Sequence, residues 1–392
     1  LSGEAGIKDT ITVAGWDFKV GGDVFKLPGG PVQASVGTEF RWENEDFKPD
    51  YAIQNGSVFP FNTQAPLSAD RDIWAGFGEV LVPIFGEDFT LPAFSALSFS
   101  MAARYEDYSD VGDTDIKPRY SFRWQPIDQQ FTLRGSYSEG FIAPGFGDLY
   151  QLPGQDFTEL YNPYTGLREQ PEEAVLTIGN SALQPVETES WMIGGVYEPN
   201  FLKDFSVNAN YYRIEQFGIP FSSAQYIVNE WYNYNPADAR DPSNPFGPNA
   251  LPSAQNPLGA QVELTPSDEL YQIRNVGPIN SGARLTDGID FGASKGFDTS
   301  IGKFTLSGQA TRILTFEQEN FPGAGSIDYL GRYWGPGAVL DDTSFPEWRA
   351  VTSLRLDTGV LALVGTWRFT QGMNDRSTVL NPASLTEGTE SY

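Results

Sequence analysis

LSFSMAARYEDYSDVGDTDIKPRYSFRWQPIDQQFTLRGSYSEG, residues Leu97–Gly140, carries the pattern from which the fold follows. Three runs in it alternate with period two. Leu97, Phe99, Met101, Ala103 and Tyr105 oppose Ser98, Ser100, Ala102, Arg104 and Glu106. Ile116, Pro118, Tyr120, Phe122 and Trp124 oppose Lys117, Arg119, Ser121, Arg123 and Gln125. Phe131, Leu133, Gly135 and Tyr137 oppose Gln130, Thr132, Arg134, Ser136 and Ser138. Successive side chains on a strand point to opposite faces, so each run reads as a strand with one apolar and one polar face.

The pattern extends in both directions. Val32, Ala34, Val36, Thr38, Phe40 and Trp42 share a face, with Gln33, Ser35, Gly37, Glu39, Arg41 and Glu43 on the other. Near the end, Leu361, Leu363, Gly365, Trp367 and Phe369 continue it. Twelve strands are expected, near 10–26, 31–46, 70–85, 94–107, 114–126, 129–142, 186–199, 203–219, 283–297, 302–317, 346–357 and 359–374. Helical periodicity is missing over any useful length, and Gln170–Thr177 is the one stretch read as a short loop helix.

The connections alternate between short and long. Leu27-Pro28-Gly29-Gly30-Pro31 is a tight turn, as are the links at 125–129, 199–203, 298–302 and 357–359, mostly built from Gly, Pro, Asp and Asn. Long connections cover 48–69, 143–185, 220–282 and 318–345, with a shorter one at 107–113. A transmembrane barrel has this asymmetry, with short periplasmic turns and long extracellular loops. Trp16, Trp42, Tyr105, Trp124, Tyr197 and Trp348 lie near strand ends, where interfacial girdles need them. The fold class read from this is all-β, an antiparallel meander forming part of a transmembrane β-barrel. A soluble sandwich is the competing fold, but its turn signals recur every 8–12 residues or so.

Composition removes whole classes of chemistry. The chain has 392 residues with no His and no Cys. Ser-His-Asp triads, HExxH zinc sites, thiolate sites and disulfides therefore have no residues to use. The net charge of −26 opposes nucleic acid, which needs a basic surface. With 28 Phe, 18 Tyr and 9 Trp the chain is too aromatic for an acidic disordered segment. No apolar run approaches the roughly 18 residues of a membrane helix, but a barrel needs only every second residue apolar.

Two segments carry a family resemblance. Ser136–Tyr150, SYSEGFIAPGFGDLY, is similar to the place in TonB-dependent receptors where a strand ends in Gly-Phe-Arg-Ala-Pro and runs into a loop containing Leu-Tyr; Ile142 stands where Arg is usual. Gly179–Ser190, GNSALQPVETES, resembles the family's Gly-Asn-x-x-Leu-Lys-Pro-Glu segment, with Gln184 for Lys and Glu187 one position late. GDVFKLPGGPVQASVGTEFRWE (Gly22–Glu43), RYEDYSDVGDTDIKPRYSFRWQP (Arg104–Pro126), FSVNANYYRIE (Phe205–Glu215) and DGIDFGAS (Asp287–Ser294) resemble further hairpins and strands. The resemblance implies a receptor of the Gram-negative outer membrane. It implies import of a scarce small nutrient powered by the TonB complex through a plug domain. Neither plug nor TonB box is found, and plugged barrels of this kind have about 22 strands. Residues 1–392 are therefore expected to be a partial barrel domain, without plug and closing strands.

Candidate sites lie in the loops. Tyr226, Trp231, Tyr232 and Tyr234 cluster in the 220–282 loop, where aromatics could stack on a sugar or grip an apolar ligand. The other reading is that they pack the loops together. Ile142–Ser190 carries Asp148, Asp156, Glu159, Glu169, Glu172, Glu173, Glu187 and Glu189 against one Arg. That excess either steers anions away from an entrance or is a solvated surface. Glu106, Asp107, Asp110, Asp113 and Asp115 could offer oxygens to Ca²⁺, but lack EF-hand spacing, and no metal site is assigned. Arg41, Arg104, Arg119, Arg123 and Arg134 share their face with Glu39, Glu43 and Glu106, as a polar interior would. No motif marks a catalytic pair and no cofactor is expected. The reading is a transporter part, not an enzyme, although a carboxylate-pair glycosidase needs no His. A passive porin-like channel and a secreted soluble carbohydrate-binding β protein are the competing functions.

Overall fold

The computed structural model describes residues 5–57, 62–86, 88–162, 165–234, 261–319, 326–334 and 343–375. Twelve long strands form one antiparallel sheet in meander order. They are β1 (Ile7–Leu27), β2 (Gly30–Pro49), β3 (Leu67–Phe85), β4 (Ala96–Tyr108), β5 (Lys117–Gln125) and β6 (Phe131–Ile142). Then come β7 (Val186–Tyr197), β8 (Phe205–Phe221), β9 (Ile279–Thr299), β10 (Gly302–Glu319), β11 (Trp348–Asp357) and β12 (Ala362–Thr370). Each overlaps one of the twelve runs expected from alternation.

Register fixes the faces. Phe99 lies opposite Phe122, and Met101 opposite Tyr120. Tyr120 faces Tyr137, which faces Trp191. On the other face Ser98 lies opposite Arg123, and Arg123 opposite Arg134. The parity read from Leu97–Gly140 is therefore kept across four strands. A one-residue slip would exchange the faces. Leu363 pairs Leu356 on the apolar face, while Leu361 sits in the turn before β12 and accepts from Thr358 N at 3.0 Å. Purity ends midway along β7 and β8. There Trp191 faces Arg213, which is ion-paired to Glu215.

Aromatic rings gather at two levels of the apolar face. Midway along the strands Trp74 lies 5.8 Å from Trp16 and 4.7 Å from Phe40, and Tyr137 lies 4.4 Å from Trp191. At the turn end Phe85, Phe94 and Trp124 form a chain, and the Trp124 indole donates to Ala93 O at 2.9 Å. Trp16, Trp74 and Trp191 are exposed, and Phe40, Phe85, Phe94, Trp124 and Tyr137 are half-buried.

Most of the buried hydrophobic residues lie outside the sheet, in the long loops. Short strands Val262–Leu264, Leu270–Val276, Val175–Thr177 and Gly154–Asp156 form a separate four-stranded sheet. Three short helices also interrupt the connections: α1 (Tyr51–Gln54), α2 (Phe146–Tyr150) and α3 (Ala224–Tyr234). The helix expected at Gln170–Thr177 is not formed. Val175 pairs instead with Ile273 in parallel and with Asp156 antiparallel, because its side chain fills the core of that small sheet.

Candidate functional site: the loop cap and the wall beneath it

Residues 143–185 and 222–278 leave the sheet at the same end, separated by the two crossings of β7 and β8. Their described parts fold against each other. Leu160 and Val175 from the first loop share one core with Ala224, Val228, Trp231, Val262, Leu264, Leu270, Ile273 and Val276 from the second. Ala224, Val228 and Trp231 recur at i, i+4 and i+7, so one stripe of α3 faces this core. Polar ties add to it: Asn162 Nδ2 donates to Asp268 O at 2.7 Å, and Tyr161 N to the Gln225 side chain at 2.6 Å.

The segment that follows β6 crosses to β3. Arg71 on β3 donates to Pro144 O at 2.9 Å, and its guanidinium lies 4.7 Å from the centre of the Phe146 ring. Glu43 on β2 holds the same guanidinium at 2.9 Å, and Asp110 stands 3.8 Å away. The Asp110 side chain is 6% exposed. Burial first, then the Asp110 charge and side-chain hydrogen bonding to Asp110, push the nearby Tyr150 phenol above its ordinary value of 10.0.

The segment GNSAL closes the cap from below. Gly179 lies against α2 so closely that a Cβ there would sit 2.6 Å from Gln151 N. Asn180 donates to Pro278 O at 2.9 Å and its backbone N–H reaches Asp148 O at 2.7 Å. Leu183 is buried. These contacts give a physical reason for Gly, Asn and Leu at these spacings: close approach, a bridge between the two loops, and an anchor.

The polar face below the cap is laced with ion pairs. Arg104 reaches Glu39 at 2.8 Å and also holds Glu106; Arg41 holds Glu43 at 2.8 Å and Glu39 at 3.1 Å. Arg134 reaches over Gly194 to Asn210 at 2.9 Å. Arg119 and Arg123 are exposed on the same face. Between β8 and β11 the face changes character, with a cavity of about 420 Å³ lined by Ser206, Asn208, Ser294, Ser307, Gln309 and Ser353 among others.

The aromatic cluster read from the sequence is divided. Trp231 is 1% exposed, inside the cap core. Tyr226 is half-buried on α3, and its backbone N–H is held by Ser223 Oγ at 3.1 Å. The side chains of Tyr232 and Tyr234 lie outside the described residues. The acidic run at 106–115 is split by strand alternation. Glu106 turns to the polar face, where it binds Arg104 and Tyr108 Oη, and Asp107 points to the opposite face. The Asp113 side chain lies outside the described residues, and among those described no group of three acids could hold a metal ion. Sequence reasoning missed Arg71, whose role depends on Pro144 lying 73 residues away.

A family model described as TonB dependent receptor-like, beta-barrel, matches residues 5–386. The chain belongs to the TonB-dependent receptor β-barrel family. It is a family of Gram-negative outer-membrane receptors, not of enzymes. Among solved structures, the ferric enterobactin receptor PfeA of Pseudomonas aeruginosa, a Q482A mutant in complex with enterobactin, is similar at TM-score 0.59 and 13% identity. That match covers 93% of this chain and 42% of that one, so the chain spans less than half the length of the receptor. A double mutant of the Serratia marcescens hemophore receptor HasR, in complex with its hemophore HasA and heme, matches at TM-score 0.58 and 12% identity, covering 94% and 53% of the two chains. The siderophore receptor PirA of Pseudomonas aeruginosa matches at TM-score 0.51 and 10% identity, covering 92% and 49%. No curated protein matches. With membership, the apolar face becomes the lipid-facing wall of an outer-membrane barrel and the polar face its lumen.

Proposed function

We propose that this chain is the barrel wall and loop cap of a receptor that imports a scarce nutrient across the outer membrane, driven by the TonB complex through a plug domain. On this reading residues 1–392 act as one barrel unit, and the plug meets the ion-paired lumen wall. The observation that carries it is the fusion of two long loops into one cored cap over a polar lumen. A passive pore has no need of such a cap, whereas a receptor needs a shaped surface to capture a dilute ligand. The similar solved structures are a ferric enterobactin receptor, a siderophore receptor, and a hemophore receptor in complex with its hemophore and heme, which supports an iron chelate or heme as the first ligands to test.

The ligand surface is proposed to lie on the cap, with Tyr226 offering contact area and Trp231 shaping the surface from within. Tyr232 and Tyr234 belong to the same proposal. The acids of the 142–190 loop favour a neutral or cationic ligand face by steering.

The test is uptake of ⁵⁵Fe-enterobactin and of heme by cells that carry the complete receptor as their sole route. Uptake that is lost on deleting TonB, and lost again on excising 222–278 with the barrel still assembled, is the expected result. Undiminished flux without TonB would favour the passive-channel reading instead.

A further inference from the structure

We propose that the short turns of the wall form an apolar rim that seats in the phospholipid of the periplasmic leaflet of the outer membrane. The partner is a lipid surface, and the rim serves the barrel whatever ligand is imported.

Six turns join the strands at the periplasmic end. Turns in water are built mostly from Gly, Pro, Asn, Asp and Ser. Five of these six expose a large apolar side chain as well: Leu91, Ile127, Phe201, Ile301 and Val360. Val360 is 99% exposed and Phe201 82%. Ile301 is one of the two residues between the paired Thr299 and Gly302, a place where Asn or Gly is usual. A single exposed hydrophobic residue is ordinary on any protein. Recurrence turn after turn, at one end of one sheet, marks a surface.

The rim continues the lipid-facing wall. Phe297, Phe304, Leu356 and Leu363 form one row across β9, β10, β11 and β12, on the apolar face. Alternation then places Thr299 after Phe297, and Thr358 after Leu356, before Ile301 and Val360 are reached. Neither step carries a charge. Lipid already touches the row above, so it reaches the tips without a gap. A protein would need a footprint along all the turns.

The turns are also prepared to leave water. Backbone polar groups in lipid must find partners within the protein. Thr299 Oγ1 donates to Gly302 O at 2.7 Å and accepts from Ile301 N at 3.4 Å. Leu361 N donates to Thr358 Oγ1 at 3.0 Å, and Gly359 N to Asp357 Oδ1 at 2.9 Å. Asp128 N donates to Ser95 Oγ at 3.0 Å, and Asn200 N to Gln130 Oε1 at 3.1 Å. Charges close on one another too. Lys26 holds Asp88 at 2.7 Å, Lys303 holds Asp204 at 2.6 Å and Arg355 holds Asp357 at 2.9 Å.

The full-length receptor in vesicles of dioleoylphosphatidylcholine, with no other protein present, tests the rim. This chain has no Cys, and any Cys elsewhere in the receptor is first replaced by Ser. Nitroxides are attached one at a time at Phe201→Cys, Ile301→Cys and Val360→Cys. We expect their collisions with a water-soluble nickel chelate to be several-fold fewer than at the exposed loop position Asn55→Cys. Nickel collisions equal to those at Asn55→Cys would overturn the rim. Labels open to nickel in vesicles but shielded in native outer membranes would also overturn it, and would assign the surface to a periplasmic protein. A nitroxide is itself apolar, so a second measurement changes the tips and reads elsewhere. Phe201→Ser, Ile301→Ser and Val360→Ser are combined, with a nitroxide at Leu363→Cys on the lipid face. Nickel collisions there should rise several-fold, and an unchanged value would overturn the proposal. Val360→Ser alone carries this measurement if the triple variant fails to assemble. Neither readout uses ligand or TonB, so a failed rim and a failed transport reading give different results.

Discussion

The ring of Phe122 on β5 lies across Gly135 on β6: a Cβ built at Gly135 would sit 2.5 Å from the ring carbon Cε1 of Phe122. The two residues are register partners on the apolar face. A lipid-facing wall is only one layer thick, so ring-over-glycine contact is how it packs against itself.

Gly135→Val should therefore push the Phe122 ring out of place. We expect a loss of about 1–3 kcal/mol, the usual range for overpacking. Equilibrium urea unfolding of the complete receptor in bilayers would report it. The double variant with Phe122→Ala should recover part of the loss, because the clash is a pairwise term. Full additivity would show that the ring does not rest on Gly135.

Phe122→Arg places a charge on the lipid side. Near the bilayer midplane this should cost roughly 2–4 kcal/mol. Arg123→Ser, one residue on and facing the lumen, should be nearly silent in the same assay. Equal effects at both positions would contradict the assigned faces.

Trp231→Ala should hollow out the cap and spare the wall. Truncating a buried Trp costs about 3–5 kcal/mol. Hydrogen exchange should show the loss in Leu270–Val276, with β4–β6 still protected. Simultaneous loss of protection in the strands would mean that cap and wall form one cooperative unit.

Asp50 predicts an acid-sensitive loop at the end of β2. Its carboxylate accepts from Gly6 N at 2.7 Å and from Ile53 N at 3.0 Å, capping α1. Those backbone donors, Gly6 first, hold its pKa below the ordinary 3.8. A depressed carboxylate contributes stability fully above 3.8 and loses it as pH falls through the lower folded value. Protection of the Gly6 and Ile53 amides should thus be flat from neutrality down to the ordinary carboxylate value and drop below it. Asp50→Asn should remove the pH step. A step of the same size in that variant would assign it to another group.

The wall was legible in the sequence because a strand with one face in lipid must alternate. From Leu97 to Tyr137 nearly every second residue declares its face, and turns such as Leu27–Gly30 mark the strand ends. The cap was not legible for the opposite reason. Its core is assembled from single residues of short strands, such as Val175 against Ile273, brought together across about a hundred positions. Three-residue strands carry too few alternations to show a period. The i, i+4, i+7 stripe of Ala224, Val228 and Trp231 was a usable helical signal, but the flanking tyrosines drew the reading toward a ligand surface. Arg71 could not be read at all, since nothing in Ala69–Ile73 differs from an ordinary lumen-facing strand.

This sheet is a barrel wall with lipid on one face and the aqueous lumen on the other. Single spin labels placed in turn at positions 117 to 125 of the complete receptor in bilayers would show both environments. Oxygen, which partitions into lipid, and a water-soluble nickel chelate report the two environments. A lipid-facing wall gives a period of two, with oxygen maxima at Tyr120, Phe122 and Trp124 and nickel maxima at Arg119, Ser121 and Arg123. A flat profile, or the same period with the phases exchanged, would contradict it.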